Sequence, residues 1–236
     1  MSLSYATLTE DSIASLNREL EKGDTLDVIK WAYGQFGDEL VYACSFGAEG
    51  IVLIDLISQV RKDASILFLD THLHFRETYE LIERVQARYP DLRITILEPE
   101  QSLSEQAAEY GDELWKRNPD QCCRLRKVQP LAGALTGAKA WMSGLRREQS
   151  PTRAHIQYIN PDHKFQSLKI CPLIHWSWED VWNYIRAFGL TYNVLHDQGY
   201  PSIGCETCTL PVEGEGDSRA GRWAASGKTE CGLHQT

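Results

Sequence analysis

Positive charge is in short supply in this chain: 24 Lys and Arg stand against 33 Asp and Glu in 236 residues, a formal net charge of −9. That sign excludes a general grip on nucleic acid or on an anionic membrane, so any anionic ligand has to be held by a local cluster of cations. Long apolar runs are missing too. The longest, Ile51 to Ile57, is broken by Asp55 and falls far short of the ~20 residues a membrane-spanning helix needs. Met1 to Leu16 holds no basic segment followed by an apolar one, which predicts neither a signal nor a transit peptide and places the chain in the cytoplasm. There is no internal repeat and no low-complexity block. With 42% hydrophobic and 24% charged residues, the composition is that of an ordinary globular domain. A chain of this length buries roughly 70–75% of its unfolded surface, so its core needs no disulfide staples.

Cysteine is the abundant exception. Seven are present, an odd number, and a reducing cytoplasm keeps thiols free, which argues against a disulfide framework. Cys44 and Cys171 stand alone in apolar company and read as core. Cys122-Cys123, Cys205-x-x-Cys208 and Cys231 lie among polar and basic residues and read as chemical.

Periodicity predicts helices over Thr9 to Glu21 and Asp24 to Gln35, then a short buried strand, Leu40 to Cys44. The small-residue turn Ser45 to Gly50 leads into a helix from Ile51 to Val60. Strands follow at Ser65 to Leu69 and Arg93 to Leu97, around a helix from Glu77 to Tyr89. Helices are expected at Gln101 to Tyr110 and Arg124 to Leu135, and a fourth strand at Ala140 to Ser143. Two more strands, Ala154 to Ile159 and Phe165 to Ile170, would flank a turn at Asn160-Pro161-Asp162. Ser177 and Asp180 form a capping-box pattern that opens a helix through Phe188. This alternation is the mark of an α/β, doubly wound, mostly parallel sheet. From Gly189 onward the chain is loop-rich. The expected organisation is residues 1–38 as helices packed on the core, 39–200 as a nucleotide-binding α/β domain, and 201–236 as a loop bearing paired cysteines with a mobile tail, all in one domain.

Chemistry concentrates at strand carboxyl ends. The turn Ser45-Phe46-Gly47 precedes a helix, where free N–H groups and the helix dipole favour phosphate. The Gly-Lys-Ser/Thr ending of a Walker loop is missing. Leu69-Asp70-Thr71 ends the second strand, and His72-x-His74 after it reads as a hydrogen-bonded pair rather than a metal pair. Gly144-x-Arg146-Arg147, with Arg153, follows the fourth strand; guanidinium forks there suit phosphate or sulfate, and a solvated loop is the alternative. Four thiolates at Cys122, Cys123, Cys205 and Cys208 suit zinc or an iron–sulfur cluster. The directly adjacent pair spans two corners of a cubane more easily than it chelates one tetrahedral ion, and unliganded thiols are the third reading. Cys231 sits beyond Arg219, Arg222 and Lys228. Only about 3% of an ordinary thiol is ionised at pH 7, so a nucleophile there needs such cations. His234 could assist it as base or cation, or be an inert terminal residue.

Together, Tyr42-Ala-Cys-Ser45-Phe-Gly-Ala-Glu-Gly50, Leu69-Asp70-Thr71 with Phe75-x-Glu77-Thr78, Cys122-Cys123-x-x-Arg126-Lys127, Gly144-x-Arg146-Arg147, Tyr200-Pro-Ser-Ile-Gly-Cys205-x-x-Cys208 and Glu230-Cys-Gly-Leu-His234 resemble the assimilatory adenylylsulfate and phosphoadenylylsulfate reductases. The likeness runs from about Asp27 to His234. It implies a sheet of the adenine nucleotide alpha hydrolase-like (PP-loop) type and a [4Fe–4S] cluster on the four paired cysteines. It implies Cys231 as nucleophile, forming an S-sulfocysteine that thioredoxin or a similar dithiol resolves. Adenylyl sulfate is the substrate that the four cysteines favour, with the 3′-phosphorylated form also open. The resemblance assigns Lys127, Arg153, Arg219 and Arg222 to the anion, Ser45, Phe46 and Gly47 to phosphate, and Leu69, Asp70 and Thr71 to adenosine; Gly144 and Arg146 complete the substrate set. A homo-oligomer is left open. Relatives carry Gly where this chain has His72, and the acidic stretch Leu210 to Asp217 departs from the family pattern. The rival readings are a PP-loop tRNA sulfur-insertion enzyme, whose Ser-Gly-Gly-x-Asp-Ser loop Phe46, Ala48 and Glu49 do not fit, and a zinc-stapled nucleotide-binding protein without catalysis.

Overall fold

The structure, a computed structural model, describes residues 3–213, 218–224, 228 and 230–234. Residues 214–217 of the acidic stretch therefore lie outside it. Six strands form one sheet: β1 (Leu40–Cys44), β2 (Ser65–Leu69), β3 (Arg93–Leu97), β4 (Ala140–Met142), β5 (Ile159–Asp162) and β6 (Ser167–Ile170). Their order is β3-β2-β1-β4-β6-β5. All neighbours pair parallel except β5, which runs antiparallel to β6. The chain winds outward from β1 through β2 to β3, then returns to the opposite side of β1 for β4. The order thus reverses between β1 and β4, which is where open α/β sheets leave a crevice for ligands.

Alternation along the strands divides the core. Leu40, Tyr42 and Cys44 of β1 pack with α1 (Glu10–Leu20), α2 (Thr25–Phe36), α3 (Ala48–Val60), α4 (Arg76–Arg88) and α9 (Trp178–Ala187) on one face. Val41 and Ala43 point to the other face, as the two-residue period of a strand requires. That second face is thinly covered. Its cluster is Leu67, Leu69, Leu131, Leu135 and Trp141, with Phe165 and Leu233 packed against it. Leu233 thus makes the carboxyl-terminal tail part of the second layer.

The expected helix starts have local causes. Asp24 with Asp27 caps α2 reciprocally, and Ser177 with Asp180 does the same for α9, each satisfying otherwise orphaned N–H groups. Two expectations are corrected. Residues 154–158 form no strand: β5 begins at Ile159, and Asn160-Pro161-Asp162 is paired with β6 rather than turned. Pro161 is tolerated because β5 is the sheet edge, where a missing N–H costs no ladder bond. The reversal comes at residues 163–166, where Asp162 accepts the Phe165 N–H at 3.2 Å and Gln166 takes a positive φ of 49°. The helix expected from Arg124 begins earlier. After α5 (Leu103–Tyr110) and the short α6 (Leu114–Arg117), α7 (Pro119–Cys123) runs into a π-helical turn, Arg124–Val128, and on into α8 (Gln129–Ala134). Pro119 at the first turn and the Asn118 side chain, accepting the Gln121 N–H at 3.0 Å, start it.

Candidate active site

A cleft opens at the β1/β4 crossover, with about 1200 Å³ of space that includes open solvent at its mouth. Its floor is the β1–α3 loop. Gly47 caps α3 with no side-chain hydrogen bond, so the first N–H groups of a 13-residue helix face the cleft. Ser45 and Gly47 line it. Phe46 does not; it takes a φ of 55° and turns into the core, edge-on to Phe68 at 5.5 Å. Its left-handed backbone lets the loop turn while Phe46 N–H donates to Cys44 Sγ at 3.2 Å.

The β2 end divides the same way. Leu69 lines the cleft, whereas Asp70 is taken up by the Tyr79 hydroxyl at 2.7 Å and the His72 N–H at 2.8 Å. Thr71 Oγ1 instead meets Cys205 Sγ at 3.2 Å. His72 has a φ of 57°, in the left-handed region that favours glycine. His74 Nε2 donates to the Leu69 carbonyl at 3.0 Å, and burial lowers it to about pKa 4. Beyond β4, Gly144 and Arg146 both line the cleft, the Arg146 fork being already engaged. Its Nε and Nη2 donate to Glu49 Oε1 at 3.0 and 2.8 Å, and Nη1 to the Trp176 carbonyl at 3.2 Å. Arg146 therefore fixes the loop that bears Glu49.

The opposite wall is cationic. Lys127, Arg153, Arg219 and Arg222 all line the cleft with Cys231 and His234. Burial would lower Lys127, but the sulfurs of Cys205, Cys231 and Cys123 outweigh it and hold its ammonium above the ordinary value. Arg219 is pushed down to about 10, first by burial and then by neighbouring Arg153. Crowded guanidinium groups of this kind become favourable once an anion sits between them. Arg222 lies 4.5 Å over the Trp223 ring, and its Nε is buried without a partner among the described residues. Gly204 makes room for it: a Cβ there would stand 2.2 Å from Arg222 Nη2. Gly204→Ala should leave the melting temperature within a few degrees, because only a side-chain end must move. It should weaken anion binding about tenfold, the scale of one charge-assisted contact, as measured by titration with sulfate; unchanged affinity would remove Arg222 from the anion wall.

Cys231 is partly buried against Cys123. A hydrogen bond from the Cys123 thiol, then Lys127, the Leu233 N–H and Arg222, hold it well below the ordinary thiol range against the opposing effect of burial. His234 stacks on Trp141 at 6.1 Å and 8°. Burial first, then Arg153, Lys169, Arg219 and Lys164, depress its pKa far below normal. Its Nδ1 is buried without a partner among the described residues.

Behind Lys127 a second cavity is lined by Cys122, Cys123, Cys205 and Cys208, with Thr71 and Trp115. The helix supplies one pair and the loop after Tyr200 the other. That loop is pinned to the β2–α4 connection by the Glu206 N–H to the Leu73 carbonyl at 2.7 Å and a bridge between His74 and Cys205. All four thiols are free. Burial raises Cys122 to about 11, aided by Cys205 and Cys208. Among the described residues, the sole group of three or more potential ligands lying mutually within 4.8 Å is Asp70, His72 and Glu98. A zinc ion with Zn–S bonds of about 2.3 Å would draw its sulfurs to about 3.8 Å of one another.

Sequence reasoning missed Glu49, Gln149, Gly204 and Glu230. Only Glu230 carried a signal, its place beside Cys231.

Residues 39–211 match the model of the phosphoadenosine phosphosulfate reductase domain. The chain is 62% identical over 232 residues to the adenosine 5′-phosphosulfate reductase of Geobacillus sp. (strain WCH70), covering 98% of this chain and 99% of that one. It is 66% identical over 212 residues to adenosine 5′-phosphosulfate reductase 2 of Bacillus subtilis (strain 168), covering 90% of each. The crystal structure of phosphoadenylyl-sulfate (PAPS) reductase from Candida auris, a phosphate complex, superposes with a TM-score of 0.76 at 33% identity, over 86% of this chain and 98% of that one. With that match covering all six strands, Lys127, Arg153 and the paired cysteines, the chain belongs to the phosphoadenosine phosphosulfate reductase family.

Proposed function

We propose that this protein is an adenylyl-sulfate reductase of sulfate assimilation, working in the reducing cytoplasm. The observation that carries the reading is the joint placement of Cys231, four cations and an uncapped helix N-terminus around one cleft. The β1–α3 loop would hold the 5′-phosphate and Leu69 the adenosine, leaving the sulfate toward Lys127, Arg219 and Arg222. Cys231 thiolate attacks the sulfate sulfur. An S–S bond forms, the S–O bond to phosphate breaks, and its electron pair leaves on AMP. A thiol of thioredoxin or a similar dithiol then attacks Cys231 Sγ. Sulfite departs with the S–S pair, and the dithiol's second thiol releases Cys231 as the reductant becomes a disulfide. Anion attacking anion is slow unless the repulsion is offset: at 4 Å a charge pair is worth about 1 kcal/mol in water but about 4 at an effective dielectric near 20. An enclosed cationic wall supplies that offset.

Cys122, Cys123, Cys205 and Cys208 would hold a [4Fe–4S] cluster, a reading supported by the one cavity that all four line, three of them buried. When bound, the cluster supplies fixed negative charge behind Lys127 and ties the helix to the loop. Since a dithiol furnishes both electrons, Cys231 needs no further redox centre.

The test supplies anoxically purified protein with adenylyl sulfate, thioredoxin and thioredoxin reductase. Sulfite and AMP should appear in equal amounts, and adenylyl sulfate should outpace its 3′-phosphorylated counterpart, as the names of the relatives above 60% identity suggest. Absence of sulfite with either compound overturns the reading.

A further inference from the structure

Glu230 directly precedes Cys231, and its side chain is only 9% exposed. Arg153, on the loop beyond β4, grips it with two parallel bonds, Nε to Oε2 at 2.8 Å and Nη2 to Oε1 at 2.6 Å. Arg219 Nη2 adds a bond to Oε1 at 3.1 Å. The same oxygen accepts the Cys231 N–H at 2.9 Å, so the carboxylate that holds Arg153 also holds the backbone of the cysteine. The third Arg153 nitrogen, Nη1, donates to Gln149 Oε1. Gln149 Nε2 in turn donates to Glu49 Oε1 at 2.9 Å, and Glu49 stands in the first turn of α3. One continuous hydrogen-bonded path therefore joins the tail to the loop at the cleft floor.

A paired and buried guanidinium is a poor contact for a second anion. All three Arg153 nitrogens already donate to side chains, while breaking a buried pair leaves its surviving charge uncompensated. We propose that Arg153 and Glu230 form the latch that seats Cys231 in the cleft, with Arg153 acting on the tail as a positioning residue rather than on the substrate. The effect on turnover rests on Cys231 being the nucleophile. The latch itself does not.

Labelling separates the two. Anoxic holoenzyme without nucleotide is treated with iodoacetamide, and the rate at each cysteine is read by peptide mass spectrometry. If the pair is a latch, Glu230→Gln and Arg153→Gln each speed Cys231 labelling about tenfold or more, and the double variant is no faster than either single one. If the two residues act only through local charge, the signs oppose: losing the carboxylate makes the thiol more reactive, and losing the guanidinium makes it less so. Opposed signs, or no change, overturn the proposal. Cys44 and Cys171, both buried, report folding; if they also label, Glu230→Asp and Arg153→Lys are read by the same criteria. The latch further requires S-sulfocysteine formation in a single turnover to slow in both variants while AMP affinity stays within about twofold. An Arg153→Gln variant that loses AMP affinity with Cys231 labelling unchanged returns Arg153 to the substrate. Wild-type protein that shows the latch pattern yet never forms S-sulfocysteine refutes the reductase reading alone.

Discussion

Cys231→Ser should release no sulfite above background, a loss of about 10⁴-fold or more, the scale on which covalent catalysts suffer when their nucleophile is removed. Serine preserves the shape of the site but is not ionised at neutral pH, and the cations around it cannot close that gap. Sulfur also does something here that oxygen cannot. An S-sulfocysteine can be opened by a thiol attacking sulfur, whereas an O-sulfoserine offers no such bond to a dithiol. AMP affinity should stay within about twofold, because no proposed nucleotide contact changes. Equal sulfite release from Cys231→Ser and wild type would move the chemistry elsewhere in the cleft.

Much of the sheet was readable in the sequence because each buried strand is a short apolar run between turn residues. The expected bounds of β1, β2 and β3 coincide with the observed ones, and α9 opens at its capping box. Such signals are local, and so were the errors. A π-helical turn leaves no apolar signature, so Arg124–Val128 read as ordinary helix. Pro161 reads as a turn in any linear scan; only its edge position, a product of the whole sheet, makes it acceptable in β5.

The cleft shows the same divide. Residues at strand ends could be nominated from the topology alone, and Ser45, Leu69 and Gly144 do line it. Which neighbours turn away or are already engaged depends on long-range partners: Asp70 turns to Tyr79, and Arg146, at the cleft wall, is held by Glu49, 97 positions earlier. Its charge and the family resemblance marked Arg153 as an anion contact. Its burial against Glu230, 77 positions later, exists only once the tail has docked, and Leu233 helps to dock it by packing on the thin face of the sheet.

Cys205→Ser should cost the protein its iron and its colour when purified anoxically, with sulfite release falling about a hundredfold or more. Cys205 lies where three constraints meet: its backbone pairs with His74, its sulfur touches Thr71, and its neighbour Glu206 donates to Leu73. Loss of one of four ligands would free the loop from the helix and remove the negative charge that Lys127 faces. Lys127, Arg126 and Arg222, which all line that cavity, would then repel one another with nothing between them. Because ligand binding and folding are coupled at such sites, the melting temperature should drop as well, by about 2–4 °C for each kcal/mol lost in a chain of this size. Cys171→Ala provides the contrast. It removes an equally buried thiol outside the cysteine-lined cavity, and should lower stability while leaving iron content intact. Full iron and full activity in Cys205→Ser would exclude it as a ligand, and a colourless wild-type protein holding only zinc would exclude the cluster.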